Sequence, residues 1–135
     1  MTTKKKTLII VLYILYIALV AYLCFGKFDD LGKVSRTIWG IPTDKVVHFI
    51  MFFPFPILSF LVFSDKAKKP WHSLLLAICV FVAGCVLAGA TEIGQTYLPY
   101  RTGDFMDFKA DAISMAISTI IMFIIDLGKQ FKHEK

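Results

Sequence analysis

The chain has 135 residues, 57% of them apolar and 19% charged, with a formal net charge of +5. This length bounds one domain. The apolar excess excludes an ordinary soluble fold, because the charges cluster between uncharged stretches long enough to cross a hydrocarbon layer of about 30 Å. The positive balance does not point to a nucleic-acid partner, since the basic residues are not interleaved with aromatics and no glycine-rich phosphate cradle is present.

The first apolar run is Thr7–Phe25, preceded by Lys4, Lys5 and Lys6. It is long for a signal peptide and no Ala-x-Ala site follows, so it predicts an uncleaved anchor helix. Tyr22 and Leu23 replace the small residues that would make Cys24 a lipoprotein cleavage site. Beyond it, Phe28, Leu31, Val34 and Ile38 recur at helical spacing, which suits either a short helix on the membrane surface or an ordinary loop. The second run, Val46–Phe63, carries Pro54 and Pro56. Each removes a backbone donor, so a bend is expected.

The third run is His72–Gln95 and the fourth Asp107–Ile125. Trp39 and Trp71 stand at run edges, where amphipathic rings prefer the headgroup level. Cys24, Cys79 and Cys85 fall inside apolar runs without CxxC spacing and read as small buried residues. The expected fold is all-α: a single membrane domain over residues 1–135 with four transmembrane helices.

Basic residues set the expected orientation. Lys4, Lys5, Lys6, Lys66, Lys68, Lys69, Lys129, Lys132 and Lys135 put nine on one side in short segments. Lys27, Lys33, Arg36, Lys45, Arg101 and Lys109 put six on the other, over longer loops. Three acids accompany the nine and seven accompany the six, so the balance is +6 against −1. Short basic segments stay in the cytoplasm. The chain therefore reads as a multi-pass protein of the cell membrane with both termini cytoplasmic.

Polar residues gather where the spans meet the outer side. Asp44 and His48 are four apart and share a helical face, as do Glu92 and Gln95, three apart. Asp104, Asp107 and Asp111 open the fourth span, continued on one stripe by Ser114 and Ser118. At about 1.5 Å per residue, His48 and Asp111 both lie about 22 Å above the inner ends of their spans. Acids near a helix start can simply favour the helix dipole, which accounts for Asp44, Asp104 and Asp107. His48, Glu92 and Asp111 are functional candidates, because an ionisable group at that depth costs a few kcal/mol unless paired or wet. Arg101 can pair with one of the acids or bind an anionic headgroup. Small residues on the third and fourth spans, among them Gly84, Ala88, Ala112 and Ser114, allow close approach and one shared pocket.

The run Asp44-Lys45-Val46-Val47-His48, then Glu92-Ile93-Gly94-Gln95, then Arg101 through Asp104 and Asp107 to Asp111, resembles the VanZ-like family of bacterial membrane proteins. The match covers about Asp44 to Ser118. Asp111 stands where that pattern has asparagine, which adds a charge and loses amide donors, and Ser114 stands where it has glycine. The resemblance implies a cell-envelope role, with the founding member associated with low-level resistance to the glycopeptide teicoplanin.

The leading expectation is an outer pocket of Asp44, Lys45, His48, Glu92, Gln95, Arg101, Asp104, Asp107 and Asp111 that binds or modulates a membrane lipid or lipid-linked envelope precursor. Lys45 and Arg101 would supply positive charge. The alternative is a small intramembrane enzyme using His48, Glu92 and an aspartate as acid–base groups or metal ligands. No motif supports a particular metal, and no cofactor is implied. Ion-coupled transport is disfavoured, because the inner halves of the spans read as free of polar residues. A thiol placed at Lys68 should be shielded from an impermeant reagent in intact cells, and one at Thr102 labelled. The reverse pattern would put the polar cluster inside the cell.

Overall fold

The computed structural model describes residues 3–27, 37–66 and 69–133. Helix α1 (Thr3–Phe25) buries only Val20 and Cys24. A helix that is apolar on every side yet exposes most of its side chains is suited to lipid, not water. Residues Phe28, Leu31 and Val34, of the stretch that suits either a surface helix or a loop, lie outside the described residues. Ile38 lies in a two-stranded hairpin, β1 (Thr37–Ile38) and β2 (Ile41–Pro42), with Ile38 opposite Ile41. Its tip is Trp39 and Gly40, at φ 51° and 80°. Positive φ at both central residues is what a tight type I′ hairpin turn requires, and Gly40 meets it without a Cβ penalty.

The second span is two helices, α2 (Thr43–Phe52) and α3 (Pro54–Phe63), separated at Phe53. Pro54 and Pro56 have no N–H to continue the ladder, so the helix breaks where the sequence places them. Phe53 itself stays right-handed (φ −55°, ψ −40°), so the chain continues across the membrane instead of turning back.

Carbonyls around this break receive hydroxyls from neighbouring helices. Tyr16 donates to Met51 O at 2.7 Å and Ser114 to Phe49 O at 2.5 Å. Ser59 donates to Phe55 O at 2.8 Å and accepts from Tyr13 at 2.9 Å. In hydrocarbon, each carbonyl left without such a partner would cost several kcal/mol.

A short 3₁₀ turn (Ser64–Lys66) leads to α4 (Pro70–Thr96), whose Pro70 sits in the first turn, where the missing N–H costs nothing. Helix α5 (Phe105–His133) completes the fold. Among the described residues, four spans are long and apolar enough to cross a membrane, α2 and α3 together forming one. Lys6 pairs with Asp65 at 3.4 Å, and Ser73 donates to Asp126 at 2.5 Å. These contacts gather the start of α1, the end of α3, the start of α4 and the end of α5 at one end of an up-and-down bundle. The polar candidates lie at the other.

Helix α4 packs most extensively on α5, and α1 is held by α3 and α4. Phe52, Phe60, Ala88 and Met115 are wholly buried at the centre. Gly84 admits Met115 and the Phe55 ring, whose nearest atoms would lie 3.1 Å from an added Cβ. Gly84→Leu should therefore destabilise by about 1–3 kcal/mol through overpacking. Gly128→Ala, with open space around it, should gain up to about 1 kcal/mol of helix propensity. Thermal unfolding in detergent measures both, and equal effects would mean the α4–α5 seam is not close-packed.

Candidate functional site

Three local features bring the polar residues together. Helix α2 begins at Thr43, so Asp44, Lys45 and His48 occupy its first two turns. The last turns of α4 carry Glu92 and Gln95, both buried. Asp104 caps α5, its Oδ1 accepting the Met106 N–H at 2.8 Å, as a short acidic side chain does at a helix start. Gly103 lets this cap lie against α4, since an added Cβ would stand 2.6 Å from Glu92 O. With the backbones that close, the Asp104 N–H donates to Glu92 Oε2 at 2.9 Å.

His48 lies at the centre. Both oxygens of Asp111 are 3.2 Å from its Nδ1. With Asp111 ionised, its carboxylate can only accept, which assigns the donor role to Nδ1. Glu92 Oε1 lies 3.6 Å from Nδ1, and Asp107 Oδ2 lies 3.8 Å from Nε2. All four residues are buried, Asp111 completely. Beside them, Lys45 Nζ reaches Asp107 Oδ1 at 2.8 Å, Asp104 Oδ2 at 2.9 Å and Asp44 Oδ2 at 3.4 Å. Five carboxylates thus surround one ammonium and one imidazole. The ammonium beside Asp104, helped by the Met106 N–H, holds its carboxyl below the usual carboxylate range.

Arg101 and Gln95 are turned toward α1. Arg101 Nη2 donates to Leu23 O at 3.0 Å and Gly26 O at 2.9 Å. Gln95 Nε2 donates to Cys24 O at 3.0 Å, and Tyr100 to Phe25 O at 3.2 Å. Together they satisfy the carbonyls that the last turn of any helix leaves open. The structure therefore brings Asp44, Lys45, His48, Glu92, Asp104, Asp107 and Asp111 into one cluster. It gives Arg101 and Gln95 a place as the clamp on the end of α1.

The inner halves of the spans are not free of polar groups, contrary to expectation. Ser59, Ser73, Ser118, Thr119 and Asp126 are buried there. Asp126 Oδ2 accepts from Ser73 and from Gln130 at 3.3 Å, and Gln130 also donates to Ser73. Ser59 and Ser118 donate to backbone carbonyls of their own helices. The Ser59 and Ser118 hydroxyls thus hold backbone.

An apolar groove of about 310 Å³, unmarked in the residue pattern, lies between α1 and α2, lined by Tyr16, Leu19, Leu23, Val47, Ile50 and Pro54 among others.

These features define a class: a multi-pass α-helical membrane protein with a carboxylate-rich centre at one end of its bundle. The profile of the VanZ/LLP1 family matches residues 11–126, and the chain belongs to that family. It is also similar to an uncharacterized protein of the fission yeast Schizosaccharomyces pombe, 27% identical over 121 residues. That match covers 87% of this chain and 63% of the relative, so the chain spans less than two thirds of the relative's length. No solved structure matches it.

Lys45→Met removes the ammonium from three carboxylates and should lower the melting temperature at neutral pH. Because Asp104 is held below its ordinary value, this stabilisation is complete above that value and is lost as pH falls through the depressed one. The gap to wild type should stay constant from about pH 8 to about pH 5 and close only below the ordinary aspartate value of about 3.9. A gap that closes between pH 5 and pH 7 would contradict this assignment.

Proposed function

We propose that the chain is a cell-envelope protein that binds a membrane amphiphile, a lipid or lipid-linked precursor. The headgroup lies at the His48 cluster and the chain lies in the groove beside it. The observation that carries this reading is the sharing of α2. Val47 and Ile50 face the groove, and Lys45 and His48 belong to the polar cluster. One helix thus presents a headgroup site and a hydrocarbon slot side by side, the combination an amphiphile needs.

Carboxylates meet an arriving headgroup before any cation does, because Lys45 is already held by acids and Arg101 Nη2 by α1 carbonyls. Hydroxyl and ammonium groups fit this lining directly, while phosphate fits it through a bridging cation. With both termini cytoplasmic, as the basic residues indicate, the site faces the outer leaflet. If the amphiphile is a cell-wall precursor, altered susceptibility to teicoplanin-type glycopeptides follows.

The second reading, an intramembrane enzyme acting on the same headgroup, is favoured by the His48–Asp111 pair. A carboxylate that fixes the tautomer and orientation of an imidazole is the recurring partner of a general base.

Native mass spectrometry of the detergent-purified protein should find a retained lipid. Leu19→Trp and Val47→Trp, which fill the groove, should lose it severalfold at unchanged abundance. His48→Ala should weaken headgroup selectivity. Wild-type protein without retained lipid, or retention indifferent to the tryptophans, would sink the binding reading. A headgroup modified by wild type and unmodified by His48→Ala would establish the enzymatic one.

A further inference from the structure

His48, Glu92 and Asp107 each offer one ligand atom, and these atoms lie within 4.8 Å of one another. The residues come from three different helices, α2, α4 and α5, so the bundle itself sets the spacing. All three are buried, with exposures of 9%, 7% and 6%. Glu92 Oε1 is enclosed without a hydrogen-bond partner and faces the imidazole. A buried carboxylate oxygen in that state lacks the donor or cation it needs. Asp107 is divided between partners, its Oδ1 on Lys45 and its Oδ2 toward His48.

We propose that His48, Glu92 and Asp107 hold a divalent cation. Asp111 is the positioning residue: by accepting from Nδ1 it leaves the Nε2 lone pair for the ion and fixes the ring, as carboxylates behind metal-bound histidines do. One imidazole nitrogen and two carboxylates form a mixed set that suits Mn²⁺ or Zn²⁺ better than the all-oxygen preference of Mg²⁺ or Ca²⁺. Three protein ligands leave coordination positions open for water or a headgroup oxygen. The ion also offsets the excess of buried carboxylates over Lys45. The cation seat stands on these side chains. Only its use in binding an anionic headgroup rests on the amphiphile reading.

The test is Mn²⁺ titration of the metal-stripped, detergent-purified full chain, followed by electron paramagnetic resonance. One Mn²⁺ per chain is expected, displaced by Zn²⁺ and showing the nitrogen modulation of an imidazole ligand. Asp111→Asn should weaken binding about 10–100-fold. His48→Ala and Glu92→Gln should weaken it further, and Asp65→Asn, at the far end of the bundle, should leave it unchanged. Absence of saturable binding, absence of nitrogen modulation in wild type, or full affinity in Glu92→Gln would each overturn the proposal. The nitrogen signal needs no variant, so a variant that misfolds does not blunt the test. Retained lipid without metal would refute this inference and leave the amphiphile reading standing. Metal without lipid would do the reverse.

Discussion

The end of this bundle is organised by one electrostatic requirement: buried carboxylates must find positive charge or donors inside the fold. Two unit charges near 4 Å interact far more strongly in a poorly solvated site than in water, in either sign. Lys45 therefore draws Asp104 and Asp107 of the α5 start against the start of α2. Glu92 reaches the Asp104 N–H from α4, and Asp111 holds His48 from α5. These struts between α2, α4 and α5 are all carboxylate contacts. Placing a charge elsewhere in the cluster would change the helix geometry as well as the chemistry, since a buried ion that loses its partner costs about 3–5 kcal/mol.

A second constraint, the satisfaction of backbone carbonyls away from water, explains residues that carry no charge chemistry. Tyr13, Tyr16, Ser59 and Ser114 serve the broken second span. Gln95, Tyr100 and Arg101 serve the end of α1. This clamp supports an otherwise lightly held helix, since α1 buries only two of its residues. The groove exists because α1 leans on α3 and α4 and leaves a gap against α2.

Much of this was legible in the sequence. Four long apolar runs announce four spans, because no other structure demands such runs. The break at Phe53 follows from two prolines. His48, Glu92 and the aspartates stood out because ionisable side chains next to span interiors are costly. The destination of Arg101 and Gln95 was not legible, since a backbone carbonyl is an acceptor at every position and leaves no mark in the residue string. The Ser73–Asp126–Gln130 contacts were hidden for a similar reason, as Asp126 reads from sequence like an ordinary charge at a span end. The groove was invisible because a gap between apolar surfaces has the same composition as a contact between them.

The tip of the β1–β2 hairpin bears on where all this sits in a bilayer. Trp39 is 99% exposed and is held outward by a turn whose dihedral angles an aromatic residue rarely adopts. Such a ring settles at the headgroup level, and only Gly40 through Pro42 separate it from the start of α2. With its ring at that level, the hairpin would set the vertical distance between the water boundary and His48. In a thicker or thinner bilayer the far end of the bundle would absorb the hydrophobic mismatch by tilt or local lipid adjustment. The carboxylate centre would keep its level relative to the headgroups, so its access to them would not vary with membrane thickness.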